Sequence, residues 1–185
     1  IGGSAADTII GSALNDTIDG GSGTINDSID AGAGNDIITY SDVADTLDGG
    51  LGKDTLTISA SATGFTDANL VNVETVSISG TSSVSLALQT EDLVITAEGN
   101  ASRHTIVGGT GNDTITGGTL SDTLTGGNLT DNFSCFDFLG TVAIDGGGGF
   151  DALDFSSQSN FYKDAEKIIE IDLTSNTAKV DGILY

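Results

Sequence analysis

Aspartates recur in this chain at nine-residue intervals, most of them at the end of a glycine-containing turn. The clearest copy is residues 108–116, Gly-Gly-Thr-Gly-Asn-Asp-Thr-Ile-Thr, where Asp113 ends a glycine-rich turn and Ile115 lies in a short strand. Glycines permit positive φ and allow backbone carbonyls to approach one point. Carbonyl and carboxylate oxygens are the ligands of Ca²⁺, a hard cation that takes about six to eight of them. The motif therefore predicts a turn that binds calcium.

The same spacing repeats along the chain. Residues 2–57 form six consecutive units, one of them two residues longer than the rest, and residues 99–134 and 146–154 contain further units. The predicted carboxylate ligands are Asp7, Asp16, Asp27, Asp36, Asp45, Asp54, Asp113, Asp122, Asp131 and Asp151. The glycines predicted to shape the same metal sites are Gly32, Gly34, Gly50, Gly52, Gly109, Gly111, Gly147 and Gly149.

Some turns depart from the pattern. The fourth-position glycine is replaced by Leu14, Val43, Leu120 and Leu129, and the aspartate is replaced by His104. The sequence leaves open whether these turns bind metal or only carry the chain to the next strand. His104 has no nucleophile beside it, so we interpret it as a degraded repeat rather than as a catalytic base.

The repeats must be positioned by stacking, because one unit buries a single aliphatic side chain. We predict an all-β fold, a parallel β-roll or β-solenoid with Ca²⁺ bound in the turns between short strands. Alternating apolar residues continue through residues 58–98 without glycine turns, which predicts a metal-free continuation of the solenoid or a linker. A separate β-sandwich is the alternative there. Residues 65–72 predict a short helix capped by Thr66.

These patterns divide the chain into four segments. They are a first repeat block at residues 1–57, the metal-free segment 58–98, a second block at 99–134, and a terminal repeat with a β segment at 135–185. The sequence opens at Ile1 in the middle of a repeat, so we expect a longer parent protein that continues beyond Tyr185.

Composition restricts the function. Five Lys and Arg stand against 27 Asp and Glu, a formal net charge of −22, which excludes a nucleic-acid binder. So many carboxylates repel one another in a compact body. A hydrophobic content of 37% is too high for an acidic disordered tail, so we expect order that depends on cations. No run of 18 apolar residues is present, and no membrane span is predicted.

The Gly-Gly-x-Gly-x-Asp series at residues 2–57, 99–134 and 146–154 resembles the RTX (repeats-in-toxin) family of haemolysin-type calcium-binding repeats. The family is bacterial and exported by type I secretion. The resemblance implies that two units form one coil of about 18 residues, with each Ca²⁺ between same-side turns of successive coils. It implies the pairs Asp7 with Asp27, Asp16 with Asp36, Asp27 with Asp45, Asp36 with Asp54, and Asp113 with Asp131, whereas His104 with Asp122 breaks the rule.

Residues 70–98 are similar to linkers in large RTX-containing surface-layer proteins and adhesins. The resemblance thus implies a calcium-binding structural module of a secreted bacterial cell-surface protein, rigidified by extracellular Ca²⁺. Self-association or binding of cell-surface polysaccharide is the expected partnership besides calcium. The alternatives are the non-catalytic RTX domain of a secreted protease, lipase or alginate epimerase, or the repeats of a pore-forming toxin. Neither His-Glu-x-x-His nor Gly-x-Ser-x-Gly occurs, so no catalytic residue is predicted.

Overall fold

The computed structural model describes residues 1–21, 26–40, 45–58, 65–79, 83–98, 103–135, 142–154, 169–172 and 179–181. These residues form short strands joined by turns. The strands are β1 (Thr8–Ile10), β2 (Thr17–Asp19), β3 (Ser28–Asp30), β4 (Ile37–Tyr40), β5 (Thr46–Asp48), β6 (Thr55–Ile58), β7 (Phe65–Thr66), β8 (Leu70–Val71), β9 (Thr75–Ser79), β10 (Ser83–Ser85), β11 (Val94–Glu98), β12 (Thr105–Val107), β13 (Thr114–Gly117), β14 (Thr123–Gly127), β15 (Asn132–Cys135), β16 (Val142–Gly147), β17 (Ala152–Asp154), β18 (Ile169–Asp172) and β19 (Lys179–Asp181).

The strands build two faces of a parallel β-solenoid. One face is a nine-stranded sheet in the order β19-β17-β15-β13-β11-β9-β6-β4-β2. The other consists of a four-stranded sheet, β1-β3-β5-β8, and a six-stranded sheet, β18-β16-β14-β12-β10-β7. Their strands pair in parallel, as between β4 and β6 or β13 and β15. The all-β solenoid predicted from the nine-residue spacing is confirmed.

The core is a column of aliphatic side chains between the two faces. Ile38 pairs with Leu56 in the next coil, and Ile115 pairs with Phe133. Ile38, Leu56 and Ile115 are completely buried. Because side chains alternate along a strand, the flanking Thr114 faces solvent. Each buried Leu or Ile contributes about 2–3 kcal/mol, so stability accumulates only when many units stack.

The nine-stranded sheet runs through the segment that lacks glycine turns. β9 pairs with β6 on one side and with β11 on the other, and β11 pairs with β13. Val76, Ile78 and Ile95 are completely buried in the same column. The strands of this segment are therefore part of the solenoid that contains both repeat blocks.

The helix predicted at residues 65–72 is confirmed only for Asp67–Asn69, which form a 3-10 helix directly after Thr66. The residues on either side form β7 and β8. β8 pairs with β5, whereas β7 pairs with β10, so this segment contacts both sheets of its face. Two short extended pieces with backbone partners on different sides satisfy more hydrogen-bonding groups than an isolated helical turn would.

Side-chain hydrogen bonds hold the turns of this middle segment. The Gln89 amide donates to the carbonyl oxygens of Asp67 and Leu70, at 3.2 and 3.1 Å. The backbone N–H of Leu88 donates to the Asp67 carboxylate at 2.6 Å. Asp67 and Gln89 are both buried. Here polar side chains tie neighbouring coils together within the chain itself.

Candidate metal centre

The glycine-rich turns lie along the two edges of the solenoid. Turns 11–16, 31–36, 49–54, 108–113, 126–131 and 146–151 precede β2, β4, β6, β13, β15 and β17 of the nine-stranded sheet, so they share one edge. Asp7, Asp27, Asp45, His104 and Asp122 precede strands of the opposite face. Val43 lies outside the described residues.

The predicted carboxylates meet in pairs across successive coils, because Oδ1 of each accepts the backbone N–H of the corresponding residue one coil earlier. The bonds are Asp7 to Asp27 at 2.8 Å, Asp16 to Asp36 at 2.7 Å, Asp27 to Asp45 at 2.9 Å, Asp36 to Asp54 at 2.8 Å, Asp113 to Asp131 at 2.8 Å and Asp131 to Asp151 at 3.0 Å. The structure therefore brings together the pairs implied by the 18-residue coil, and it adds Asp131 with Asp151.

A second carboxylate oxygen remains at three of these positions. Oδ2 of Asp36, Asp54 and Asp131 is buried and has no hydrogen-bond partner in the described part of the chain. A buried acceptor left without a partner costs about 1–3 kcal/mol, and more when it is charged. These oxygens are therefore the atoms that most need a cation.

The fold raises the pKa of two of these carboxyls, Asp54 and Asp131. Burial, with added repulsion from Asp113 and Asp151, raises the pKa of Asp131 to about 7. Burial also raises the pKa of Asp54, and repulsion from Asp36 and other nearby carboxylates raises it further. Without metal, the fold thus shifts Asp54 and Asp131 toward the neutral acid, whereas a bound cation would favour the carboxylate.

Backbone carbonyls crowd the same turns. Gly50 has φ +89 and Gly52 φ +144, and a Cβ on either would overlap a carbonyl oxygen of turn 31–36. Gly32, Gly34, Gly147 and Gly149 also have positive φ. Gly109 and Gly111 instead lie against the carbonyl oxygens of Gln89 and Glu91 in the middle segment. The glycines thus allow the carbonyls of one turn to approach the backbone of the next.

This donor set fits Ca²⁺. Among the described residues no group of three or more His, Cys, Asp or Glu side chains could hold a metal ion. A site in these turns therefore combines few carboxylates with backbone carbonyls, an all-oxygen shell of the kind that Ca²⁺ accepts. Zinc, by contrast, favours nitrogen and sulfur ligands in a tetrahedral cluster.

Comparison with known families identifies the repeats. A family model described as the RTX calcium-binding nonapeptide repeat, in 4 copies, matches residues 1–38, 25–43 and 98–132. The chain carries RTX calcium-binding repeats. No curated protein and no solved structure matches it. RTX repeats bind calcium, and several copies are present, so the cofactor of this β-roll is Ca²⁺, with several ions per chain. The β-roll is a structural calcium-binding domain.

Two further RTX-like turns lie outside the matched residues, at 49–54 and 146–151. Their glycines resemble those of turn 31–36, since Gly50, Gly52, Gly147 and Gly149 all have positive φ. Leu129, in place of glycine, adopts φ +66, so turn 126–131 also keeps a left-handed residue at its fourth position. Leu14 is 75% exposed, and its replacement of glycine leaves Asp16 beside Asp36.

Glu74 is an acidic residue of the ladder that sequence reasoning missed. Its Oε2 accepts the backbone N–H of Asp54 at 2.8 Å, in the role that Oδ1 of an aspartate plays elsewhere. The signal was present, because Glu74-Thr75-Val76-Ser77 repeats the pattern of Asp54-Thr55-Leu56-Thr57. One coil later the position is Leu93, which is buried and ends the acidic series until Asp113.

His104 occupies an aspartate position and contacts a carboxylate. Its Nδ1 lies 3.2 Å from Oδ1 of Asp122, and both side chains are fully buried. Its backbone N–H donates to the same oxygen at 2.9 Å. The imidazole therefore offers Asp122 a polar side-chain partner within the protein. In the Asp113 and Asp131 pair, by contrast, both side chains are carboxylates.

Proposed function

We propose that this chain is a calcium-ordered structural module of a secreted bacterial cell-surface protein, a surface-layer protein or an adhesin. The observation that carries the proposal is the buried, unpartnered oxygen on each of Asp36, Asp54 and Asp131. These atoms lie within a chain of net charge −22, whose folded form concentrates carboxylates along the edges of the solenoid. A stack of this kind is favourable only when cations offset its repulsion.

The residues that would hold the ions are the predicted aspartates and the turn backbone. Asp36 and Asp54, together with carbonyls of turns 31–36 and 49–54, form one such set, and Asp131 and Asp151 form another. Bound Ca²⁺ would supply positive charge between the stacked carboxylates. The chain's own contribution is to fix each carboxylate through its Oδ1 hydrogen bond, at 2.8 Å for Asp54, so that Oδ2 stays oriented.

This energetic coupling supports folding after export. In the cytosol Ca²⁺ is scarce, and the carboxylate ladder then opposes compaction. Outside the cell Ca²⁺ is plentiful, and binding to the folded turns stabilises the solenoid by mass action. No helix in the described ranges is long and apolar enough to cross a membrane. On the basis of this coupling between calcium binding and folding, we propose type I secretion followed by calcium-driven folding at the cell surface.

Partners other than calcium belong to the same proposal. Ser83, Thr105 and Thr123 begin neighbouring strands of the six-stranded sheet with exposed side chains, and they pair in sequence to form a row of hydroxyls on that face. Such rows would suit polysaccharide or a second copy of the chain. Sedimentation velocity with and without Ca²⁺ tests self-association, and glycan arrays test polysaccharide binding. Calcium-dependent sedimentation as an oligomer is the result expected for an assembling surface protein.

Calorimetric titration of the full chain with Ca²⁺, and with Mg²⁺ as control, tests the core of the proposal. We expect several Ca²⁺ ions per chain and no comparable binding of Mg²⁺, which demands a stricter octahedral geometry. Antibodies against the chain should also label intact source cells. Labelling confined to the culture medium would favour the alternative, the RTX domain of a secreted enzyme or toxin.

A further inference from the structure

The turns of the solenoid adopt two conformations, distinguished by where the N–H of the second turn residue points. In self-closed turns (2–7, 11–16, 108–113 and 117–122) it donates to Oδ2 of the turn's own aspartate. The bonds are Gly3 to Asp7 at 2.6 Å, Ser12 to Asp16 at 2.6 Å, Gly109 to Asp113 at 2.6 Å and Gly118 to Asp122 at 2.8 Å. The carboxylate oxygen nearest the turn is then occupied.

In open turns the second residue is a glycine with positive φ. These glycines are Gly21, Gly32, Gly50, Gly127 and Gly147. Three of them donate to an aspartate two residues earlier, at the end of the preceding strand: Gly21 to Asp19 at 2.8 Å, Gly50 to Asp48 at 3.0 Å and Gly147 to Asp145 at 3.0 Å. In open turn 49–54, Oδ2 of Asp54 is left buried, with no hydrogen-bond partner among the described residues.

The two conformations differ in one sequence position, which lies two residues before the second turn residue, at the end of the preceding strand. It is Ile1, Ile10, Val107 or Thr116 in the self-closed turns, none of which carries a carboxylate. It is Asp19, Asp30, Asp48 or Asp145 in four open turns and Thr125 in the fifth. Among the described residues, Gly32 and Gly127 reach positive φ without such a bond, so the strand-end aspartate favours the open turn and is not its only cause.

We propose that Asp48 and Asp145 are positioning residues of the calcium sites: each accepts the N–H of the second turn glycine and so leaves the turn's own carboxylate oxygen free for the ion. This inference rests on the proposed calcium-binding function and deepens it. It also ranks the turns, because turn 108–113 follows Val107 and is self-closed, whereas turn 146–151 follows Asp145 and is open, although both units match the full nine-residue pattern. Motif completeness alone therefore does not set calcium affinity.

The position of Asp145 offers a clean test, because its side chain is exposed and Gly147 is its hydrogen-bond partner. Asp145→Ala removes the acceptor, whereas Asp145→Asn removes the same charge and keeps an oxygen acceptor. Calcium binding at this turn is measured on the full chain by ¹H–¹⁵N NMR titration of the Gly147 and Gly149 amides. We expect Asp145→Ala to weaken binding on the order of tenfold, as for loss of one hydrogen bond, and Asp145→Asn to stay within about threefold.

The converse variant tests gain of function. Val107→Asp places a carboxylate where it can accept the Gly109 N–H and release Oδ2 of Asp113, so Ca²⁺ binding should tighten at Gly109 and Gly111. Thr105→Asp adds the same charge at the start of the same strand, away from Gly109, and serves as control. Circular dichroism of each variant with Ca²⁺ verifies that it folds.

The outcomes separate the two proposals. Equal weakening by Asp145→Ala and Asp145→Asn would show a charge effect and overturn the positioning role, as would no effect of Asp145→Ala. If Asp151→Asn abolishes binding at this turn while Asp145→Ala changes nothing, the positioning inference fails and the calcium function stands. If the wild-type chain binds no Ca²⁺, both fail.

Discussion

The backbone N–H of Asp36 donates to Oδ1 of Asp54 at 2.8 Å, while Oδ2 of Asp54 is buried without a hydrogen-bond partner in the described part of the chain. One oxygen thus fixes the carboxylate to the preceding coil, and the other is left for an external ligand. Asp131 has the same arrangement, with Asp113 as its donor. Since both blocks of repeats build it independently, it is a property of the repeat.

Replacing Asp54 by Asn tests the unpartnered oxygen. The amide retains an acceptor for Asp36 but replaces the ligand oxygen by a nitrogen that cannot bind Ca²⁺, so calorimetry should show one ion fewer per chain or binding weaker by more than about tenfold. Asp92→Asn is the matched control, because Asp92 is an exposed carboxylate held by Asn112 in the middle segment. An unchanged stoichiometry and affinity in Asp54→Asn would contradict the assignment.

Turn 146–151 contains two adjacent glycines, of which only one lies where a side chain would clash. Gly149 has φ +126 and its Cβ would overlap the carbonyl of Leu129, whereas a Cβ on Gly148 would meet only Oδ1 of Asn128, at 3.6 Å. Gly149→Ala should therefore lower the free energy of unfolding by about 1–3 kcal/mol or more, and Gly148→Ala should change it by less than about 0.5 kcal/mol. Urea unfolding in excess Ca²⁺ measures both, and equal effects would refute the close carbonyl approach.

The pKa of Asp131 predicts an unusual pH dependence. Because burial raises this pKa to about 7 from its ordinary 3.8, the folded metal-free chain holds a proton that the unfolded chain releases between these values. Its stability should therefore fall as the pH rises from about 4 to about 7.

Excess Ca²⁺ should abolish this fall, because the ion binds the carboxylate form. Urea unfolding in metal-depleted buffer at pH 5 and pH 7.5 measures the dependence, and Asp131→Asn should reduce it. Metal-free stability that rises over this range would contradict the prediction.

His104 predicts a local difference in calcium dependence. His104→Asp replaces the imidazole beside Asp122 by a second carboxylate, which should lower the Tm in EGTA through repulsion and increase the gain in Tm on adding Ca²⁺. His104→Asn is the control, since it removes the imidazole without adding charge. Equal Tm values for the two variants in EGTA would show that carboxylate repulsion does not matter at this position.

Much of the fold followed from the spacing of Asp and Ile. The nine-residue period predicted short strands, and the 18-residue coil that the RTX resemblance implies places Asp36 beside Asp54 and Asp113 beside Asp131, as the structure shows. Each nine-residue unit has the same turn and the same buried aliphatic position, so each unit predicts the same local structure. The metal-ligand role of these residues stays a prediction.

Other features depended on contacts between coils and could not be predicted. The strand pairing of segment 65–72 could not be predicted, because its partner strands, β5 and β10, are distant in sequence. Glu74 was missed because its turn lacks glycine. The open and self-closed turns differ through a residue before the motif, Asp145 in one case and Val107 in another, and the nine-residue pattern leaves that position unspecified.

Far-UV circular dichroism of the full chain during a Ca²⁺ titration from EGTA to about 10 mM, with Mg²⁺ as control, tests the central claim most directly. Stacked carboxylates with unpartnered oxygens predict a steep gain of β-sheet signal with Ca²⁺ and little change with Mg²⁺. A chain that is already fully β-rich in EGTA at neutral pH would show that the aliphatic column folds alone, and calcium-dependent ordering would be contradicted.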